Sequence, residues 1–187
     1  MRWQPQKTIV LWVLLGLLAG CSSVQVSQDY EPGWVADRPQ TWQWEHSVQP
    51  ATNDLRVDNP LLNSRIRRAI ESHLAGRRME RNQEHPDLSI SYHLVIQPKL
   101  QSYSSYSTLG MGGYYYPWAW DYGTDTHIYQ YDECQLTIDI KEVGTGSLIW
   151  RGTGVYRYHT HKTPDAAAEA MQHTVDRILA QFPPGNS

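Results

Sequence analysis

The sequence predicts an α+β domain: a largely antiparallel sheet with two helices packed on one face, in two layers. Three observations carry this. Two apolar stripes at helical spacing each begin at a capping residue followed by proline, at Asn59-Pro60 and Thr163-Pro164. The stretches Leu88 to Ile96 and Ile128 to Glu142 alternate apolar and polar residues, as half-buried strands do. Gly144-Thr145-Gly146 then joins the second stretch to another extended run, as a tight hairpin turn would.

Taken in order, Val24 to Tyr30 and Thr41 to Glu45 read as short extended segments, the second with Trp42 and Trp44 on one face. Asp58 or Asn59 caps a helix whose first position is Pro60, because proline at that position loses no hydrogen bond. Leu62, Ile66, Ile70 and Leu74 recur every fourth residue, and Gly76 offers the stop. After the His85-Pro86-Asp87 turn, Leu88, Ile90, Tyr92, Leu94 and Ile96 alternate with Ser89, Ser91 and His93, and Pro98 is expected to close that strand. Strands from Ile128 to Val143 and from Ser147 to His159 form the hairpin expected at the centre of the sheet. Ala167, Met171, Val175, Ile178 and Phe182 give the second helical stripe, ending at Pro183-Pro184.

The first twenty residues follow a different logic. A basic start with Arg2 and Lys7, an apolar run from Ile9 to Leu18 and the small Ala19 and Gly20 make a signal-peptide pattern, and the run is short for a membrane span, which needs about 20 apolar residues. Leu18-Ala19-Gly20-Cys21 resembles the lipobox of bacterial lipoproteins at all four positions. The expected processing is cleavage between Gly20 and Cys21 with lipidation of Cys21, and two or more acyl chains give a stable anchor. By resemblance to the sorting rule of Gram-negative lipoproteins, Ser22 rather than Asp after the lipidated cysteine favours the outer membrane of such a host, with the domain expected to face the periplasm.

Loss of 20 of the 187 residues leaves 167, enough for one domain. Removal of Arg2 and Lys7 shifts the net charge from −3 to −5, with 14 basic against 19 acidic residues, which excludes a phosphate-neutralising surface and makes nucleic acid no partner. With Cys21 lipidated, Cys134 has no cysteine to pair with. It shares a strand face with Leu136, Ile138 and Ile140, opposite Glu133, Gln135, Thr137, Asp139 and Lys141, so it reads as a small core residue.

Residues 99 to 126 break every period. Six of the twelve tyrosines lie there with Trp118, Trp120 and several glycines, although the chain has a single phenylalanine. Rings with one polar end suit a surface, so Tyr114, Tyr115, Tyr116, Trp118 and Trp120 form the candidate binding loop, toward an envelope protein, a glycan or a lipid headgroup. The competing readings are that these rings fold back and cover the sheet, or that the stretch is a disordered low-complexity insertion.

Catalytic chemistry has no visible support: there is no Gly-x-Ser-x-Gly, phosphate loop, His-Glu-x-x-His or Cys-x-x-Cys pattern, and no cofactor motif. Asp132 and Glu133 are neighbours on a strand and point to opposite faces. His159 and His161 share one side of an extended segment, and His127 would have to approach them to complete a zinc-like set; no metal site is assigned on that basis. A non-enzymatic binding module is therefore expected, with an envelope hydrolase or glycan-modifying enzyme, and a metal-binding lipoprotein, as the alternatives.

These segments together resemble the bacterial lipoproteins that carry the domain of unknown function DUF4136. The resemblance rests on Asp29-Tyr30, Thr41-Trp42-Gln43-Trp44, Asn59-Pro60-Leu61 and Pro86-Asp87-Leu88-Ser89-Ile90. Its most specific block is Leu136-Thr137-Ile138-Asp139-Ile140 with Leu148-Ile149-Trp150-Arg151-Gly152. Arg77-Arg78 and Cys134 depart from it. The resemblance implies the fold and an envelope location, and supplies no catalytic residue. Trp150-Arg151-Gly152 is then read structurally: Trp150 and Leu148 on the core face, Arg151 outward and paired with an acid such as Asp139, and Gly152 allowing close packing or a bulge. The expected boundaries are a signal peptide over 1–20, a lipidated tether over 21–28, one domain over 29–184 and a tail over 185–187.

Overall fold

The computed structural model describes residues 24–34, 40–45, 49, 51–106 and 124–184, with only the backbone for 104–106 and 124–126. The signal segment, Cys21 and the proposed loop residues Tyr114, Tyr115, Tyr116, Trp118 and Trp120 lie outside the described residues. Among the described residues, no helix is long and apolar enough to cross a membrane.

The chain forms β1 (Gln25–Tyr30), β2 (Thr41–Trp44), α1 (Pro60–Gly76), β3 (Glu80–Arg81), β4 (Leu88–Tyr106), β5 (Thr124–Glu142), β6 (Leu148–Arg157) and α2 (Pro164–Leu179). Residues 25–28, placed in the tether by the sequence boundaries, are thus already sheet. The six strands are ordered β1-β6-β5-β4-β2-β3. Along β1-β6-β5-β4 each strand is antiparallel to its neighbour, while the short β2 runs parallel to both β4 and β3.

Both helices begin as their sequences demand. Asn59 accepts from the Leu61 and Leu62 N–H groups, Thr163 from Ala166 N–H, and a proline follows each cap. α1 ends differently from expectation: Gly76 is its last helical residue, and Arg78, at φ 60°, takes the left-handed position. Arg78 and Met79 N–H donate to Ala75 O and Leu74 O, closing the last turn.

The helices lie side by side and parallel. His73 Nδ1 meets Asp176 Oδ1 at 2.7 Å, Gln172 Nε2 donates to Ala69 O, and Arg77 reaches Ala180 O, each pair 103 residues apart. A constant offset is possible only if the two N-termini lie at the same end. Ile66, Ile70 and Leu74 of α1 and Met171, Val175 and Ile178 of α2 are buried together with Leu88, Ile90, Tyr92 and Leu94 of β4 and Leu136, Ile138 and Ile140 of β5. The fold is α+β in two layers, both helices on one sheet face.

The other sheet face is polar and bridged across the strands. Arg151 Nε and one terminal N–H donate to the two Asp139 oxygens at 2.6 and 2.7 Å, and Lys141 donates to Glu45 at 2.7 Å. Trp150 is fully buried and its Nε1–H donates to Gln28 Oε1 at 3.0 Å. Gly152 leaves room for its ring, since a Cβ there would clash with Trp150 and lie 2.6 Å from Ile178 Cγ2. The expectation that Leu148 shares the Trp150 face is corrected. A register shift at Ile140/Lys141 interrupts the alternation, so Ile149 and Trp150 are both buried and Leu148 is exposed.

β4 does not stop at Pro98, and this corrects the expected loop over 99–126. Residues 98–106 pair with 124–132 in unbroken register, so only 107–123 fall outside the described strands. The reason is parity. Glu45 N–H donates to Ile90 O and Leu94 N–H donates to Gln49 Oε1, so even-numbered residues of β4 turn their backbone groups away from β5. Pro98 shares that parity, and its missing N–H removes no bond of the β4–β5 ladder.

Candidate functional site

β6 pairs with β5 only as far as Glu133–Arg157, and β2 leaves β4 at Ile90. Beyond those limits β4 and β5 continue alone as a two-stranded ribbon, nine residue pairs or about 30 Å long at roughly 3.4 Å per residue. An isolated hairpin is marginal in water and normally hides an apolar face. This one does not: Leu100 is 74% exposed, Ile128 68% and Tyr103 62%. Leu100 and Ile128 lie on the face that continues the helix side. Tyr103, Tyr129 and Tyr131 lie on the opposite face, where the Arg157 guanidinium stacks 4.3 Å from the Tyr131 ring centre. The ribbon leads into the segment that holds the five proposed ring residues.

At the root of the ribbon, on the helix side, is a cleft of about 470 Å³. The parallel N-termini of α1 and α2 form its walls. Its floor is the end of the core: Leu94 and Ile96 of β4, Cys134 of β5, Leu62 of α1 and Met171 of α2. Tyr156 lies across from Cys134 in the β5–β6 ladder and hydrogen-bonds to it; burial pushes the Cys134 thiol up to about 11 and raises Tyr156 well above an ordinary phenol. Cys134 is therefore a buried wall of the cleft whose thiol is held in its protonated form, in keeping with its place on the apolar face of the strand.

The rim carries cations. Arg56 bridges Asp54 and Asp132 at 2.8 and 2.6 Å, pinning the segment before α1 against β5. Arg65 and Lys162 make no ion pair with a described residue, and His159, His161 and His173 complete the edge. None of the 22 described residues that line the cleft is Asp or Glu, in a chain with 19 of them. No sequence pattern could have shown this, because the lining comes from separate stretches of chain that only the fold brings together.

The structure does not unite the three histidines weighed as a zinc set. His127 stands opposite Tyr103 on the ribbon, six residues beyond the last β5–β6 pair and so roughly 20 Å from the end of β6 at the usual strand rise. Among the described residues no three His, Cys, Asp or Glu side chains gather to hold a metal. Asp132 and Glu133 bind different partners, Arg56 and Lys99, on opposite faces. Asp139 and Arg151 form the pair that the strand alternation suggested.

Residues 26–184 match the family described as Domain of unknown function (DUF4136). The chain belongs to that family. No curated protein matches it. Among solved structures, a PDZ domain protein from Parabacteroides distasonis is similar at 12% identity and a TM-score of 0.55, over 97% of this chain. The DUF4136 chain spans 41% of that protein's length, and the likeness is one of fold. A PelC dodecamer from Paraburkholderia phytofirmans is similar over 84% of this chain and 95% of its own, at 12% identity and a TM-score of 0.44.

Proposed function

We propose that this DUF4136 protein is a non-enzymatic lipoprotein of the cell envelope, anchored in the outer membrane through lipid on Cys21, whose aromatic segment is a docking surface held out by the β4–β5 ribbon. The observation that carries the reading is the shared end of the molecule. β1 pairs Gln25 with Val155, so the chain enters the sheet beside the ribbon root, and Val24 itself lines the cleft. Two residues, Ser22 and Ser23, separate Val24 from Cys21, so the three steps of chain between them span at most roughly 11 Å. The ribbon runs about 30 Å from the same end at the strand rise. A tether that short beside an arm that long brings the arm against the leaflet or against something bound there.

Exposed Leu100, Ile128 and Tyr103 support the same reading, since apolar side chains displayed on a two-stranded ribbon are costly unless a partner covers them. The ring residues Tyr115, Tyr116, Trp118 and Trp120 would then contribute amphipathic contacts to an envelope protein, a glycan or lipid headgroups. The test has two arms. Cys21→Ser is expected to abolish metabolic palmitate incorporation and release the protein from the membrane fraction; unchanged incorporation rejects the anchor. Replacing the four rings by Ser is expected to leave the thermal midpoint unchanged and to lose the envelope partner, whereas an unfolded product means that the rings cover the domain.

A further inference from the structure

The cleft at the ribbon root is a second candidate site, independent of the ribbon and of the anchor. Its floor is aliphatic, from Leu62, Leu94, Ile96 and Met171, with the neutral thiol of Cys134 at the base. Its edge is cationic and free of carboxylates among the described lining residues, although the chain as a whole is acidic. Its size of about 470 Å³ falls among ligand pockets rather than packing defects.

We infer that the cleft binds a fatty-acid carboxylate, its single aliphatic chain on the Leu94–Ile96–Met171 floor and its carboxylate at the edge near Arg65 and Lys162. Each half of that ligand meets what it needs. An aliphatic chain is stabilised by each methylene it takes out of water. A carboxylate at the rim meets two cations that no described acid neutralises, and it finds no like charge among the lining residues. Arg56 is a weaker partner, because Asp54 and Asp132 already hold it. A phosphate or sugar would satisfy the edge and leave the floor wet; a neutral hydrocarbon would do the reverse.

The test is calorimetric titration of the full chain carrying Cys21→Ser, which removes any lipid of its own, with dodecanoate, dodecanol and acetate. One dodecanoate per chain is expected, with acetate not binding and dodecanol weaker by at least about tenfold. Arg65→Glu should weaken dodecanoate by about tenfold or more, and Ala167→Trp, which fills the mouth without opening the core, should abolish binding while the circular dichroism melt is unchanged. Absence of saturable dodecanoate binding, equal binding of dodecanol, or binding indifferent to both substitutions overturns the assignment. So does a lipidated wild-type chain that refuses the dodecanoate accepted by Cys21→Ser, since the occupant would then be the protein's own acyl chain.

Discussion

Ile178 of α2 occupies the space where a Cβ on Gly152 would stand, with its Cγ2 2.6 Å from that position. The Trp150 ring closes the same space from the neighbouring strand position. Gly152 is thus what lets the second helix settle onto β6, and the contact sets the spacing of the two layers. Gly152→Ala forces either the ring or the helix to move and is expected to cost about 1–3 kcal/mol, the usual penalty of overpacking. Gly144→Ala meets nothing within 4 Å and is the control. Chemical denaturation of both variants checks this, and equal midpoints would show that the layers yield freely.

That contact also shows how far the sequence was legible. Gly152 stood in a strand beside a core tryptophan, so close approach was a fair expectation, but its partner on α2 was not visible. The helices were readable because Asn59-Pro60 and Thr163-Pro164 are local signals. The β5 alternation was readable because one of its faces is wholly buried. The ribbon was not, since both of its faces meet water and alternation then loses its meaning. Pro98 looked like a stop because backbone parity, which makes it harmless, depends on which neighbour strand is present. β3 is two residues long and carries no pattern. The cleft was the least legible feature, assembled from residues 24 to 174 by the parallel helix pair.

A second prediction concerns the sheet face away from the helices. The Asp139 side chain is 5% exposed, and its ion-pair partner among the described residues is Arg151, itself 48% exposed. Arg151→Leu leaves a buried carboxylate without its bidentate donor and is expected to cost about 1–3 kcal/mol, below the full penalty of a buried pair because solvent reaches the guanidinium side. The Asp139→Asn, Arg151→Leu double variant should recover part of the loss. A thermodynamic cycle measures the coupling, and strictly additive losses would mean that the pair contributes nothing jointly.

Cys134 gives a prediction in pH. Burial raises its thiol from 9.0 to about 11, so the folded state favours the protonated form. The stabilisation is complete below the unfolded pKa and is lost as pH rises from 9 toward 11. Below that window the folded thiol is neutral as well as enclosed. At about pH 8 a maleimide or iodoacetamide probe should label Cys134 only in denaturant, and rapid labelling of the native protein would contradict the buried wall described for the cleft.

Arg78 supplies a stabilising change. A non-glycine residue at φ 60° carries a steric cost of roughly 1 kcal/mol that glycine avoids. Arg78→Gly should raise stability by up to about 1 kcal/mol, less the extra freedom glycine gives the unfolded chain. Thermal melts of the two proteins decide it, and a lower midpoint for Arg78→Gly would mean that the arginine side chain contributes more than its backbone costs.

Under the proposed function, the end of the sheet bearing the N-terminus, the cleft and the ribbon is the working end of an anchored binding domain. In-cell photocrosslinking from position 118 tests it most directly, with position 144, in the β5–β6 turn at the opposite end, as the reference. A discrete crosslinked protein, glycan or lipid from 118 and none from 144 is the predicted result. No crosslink from 118, or the same product from both positions, would contradict the account.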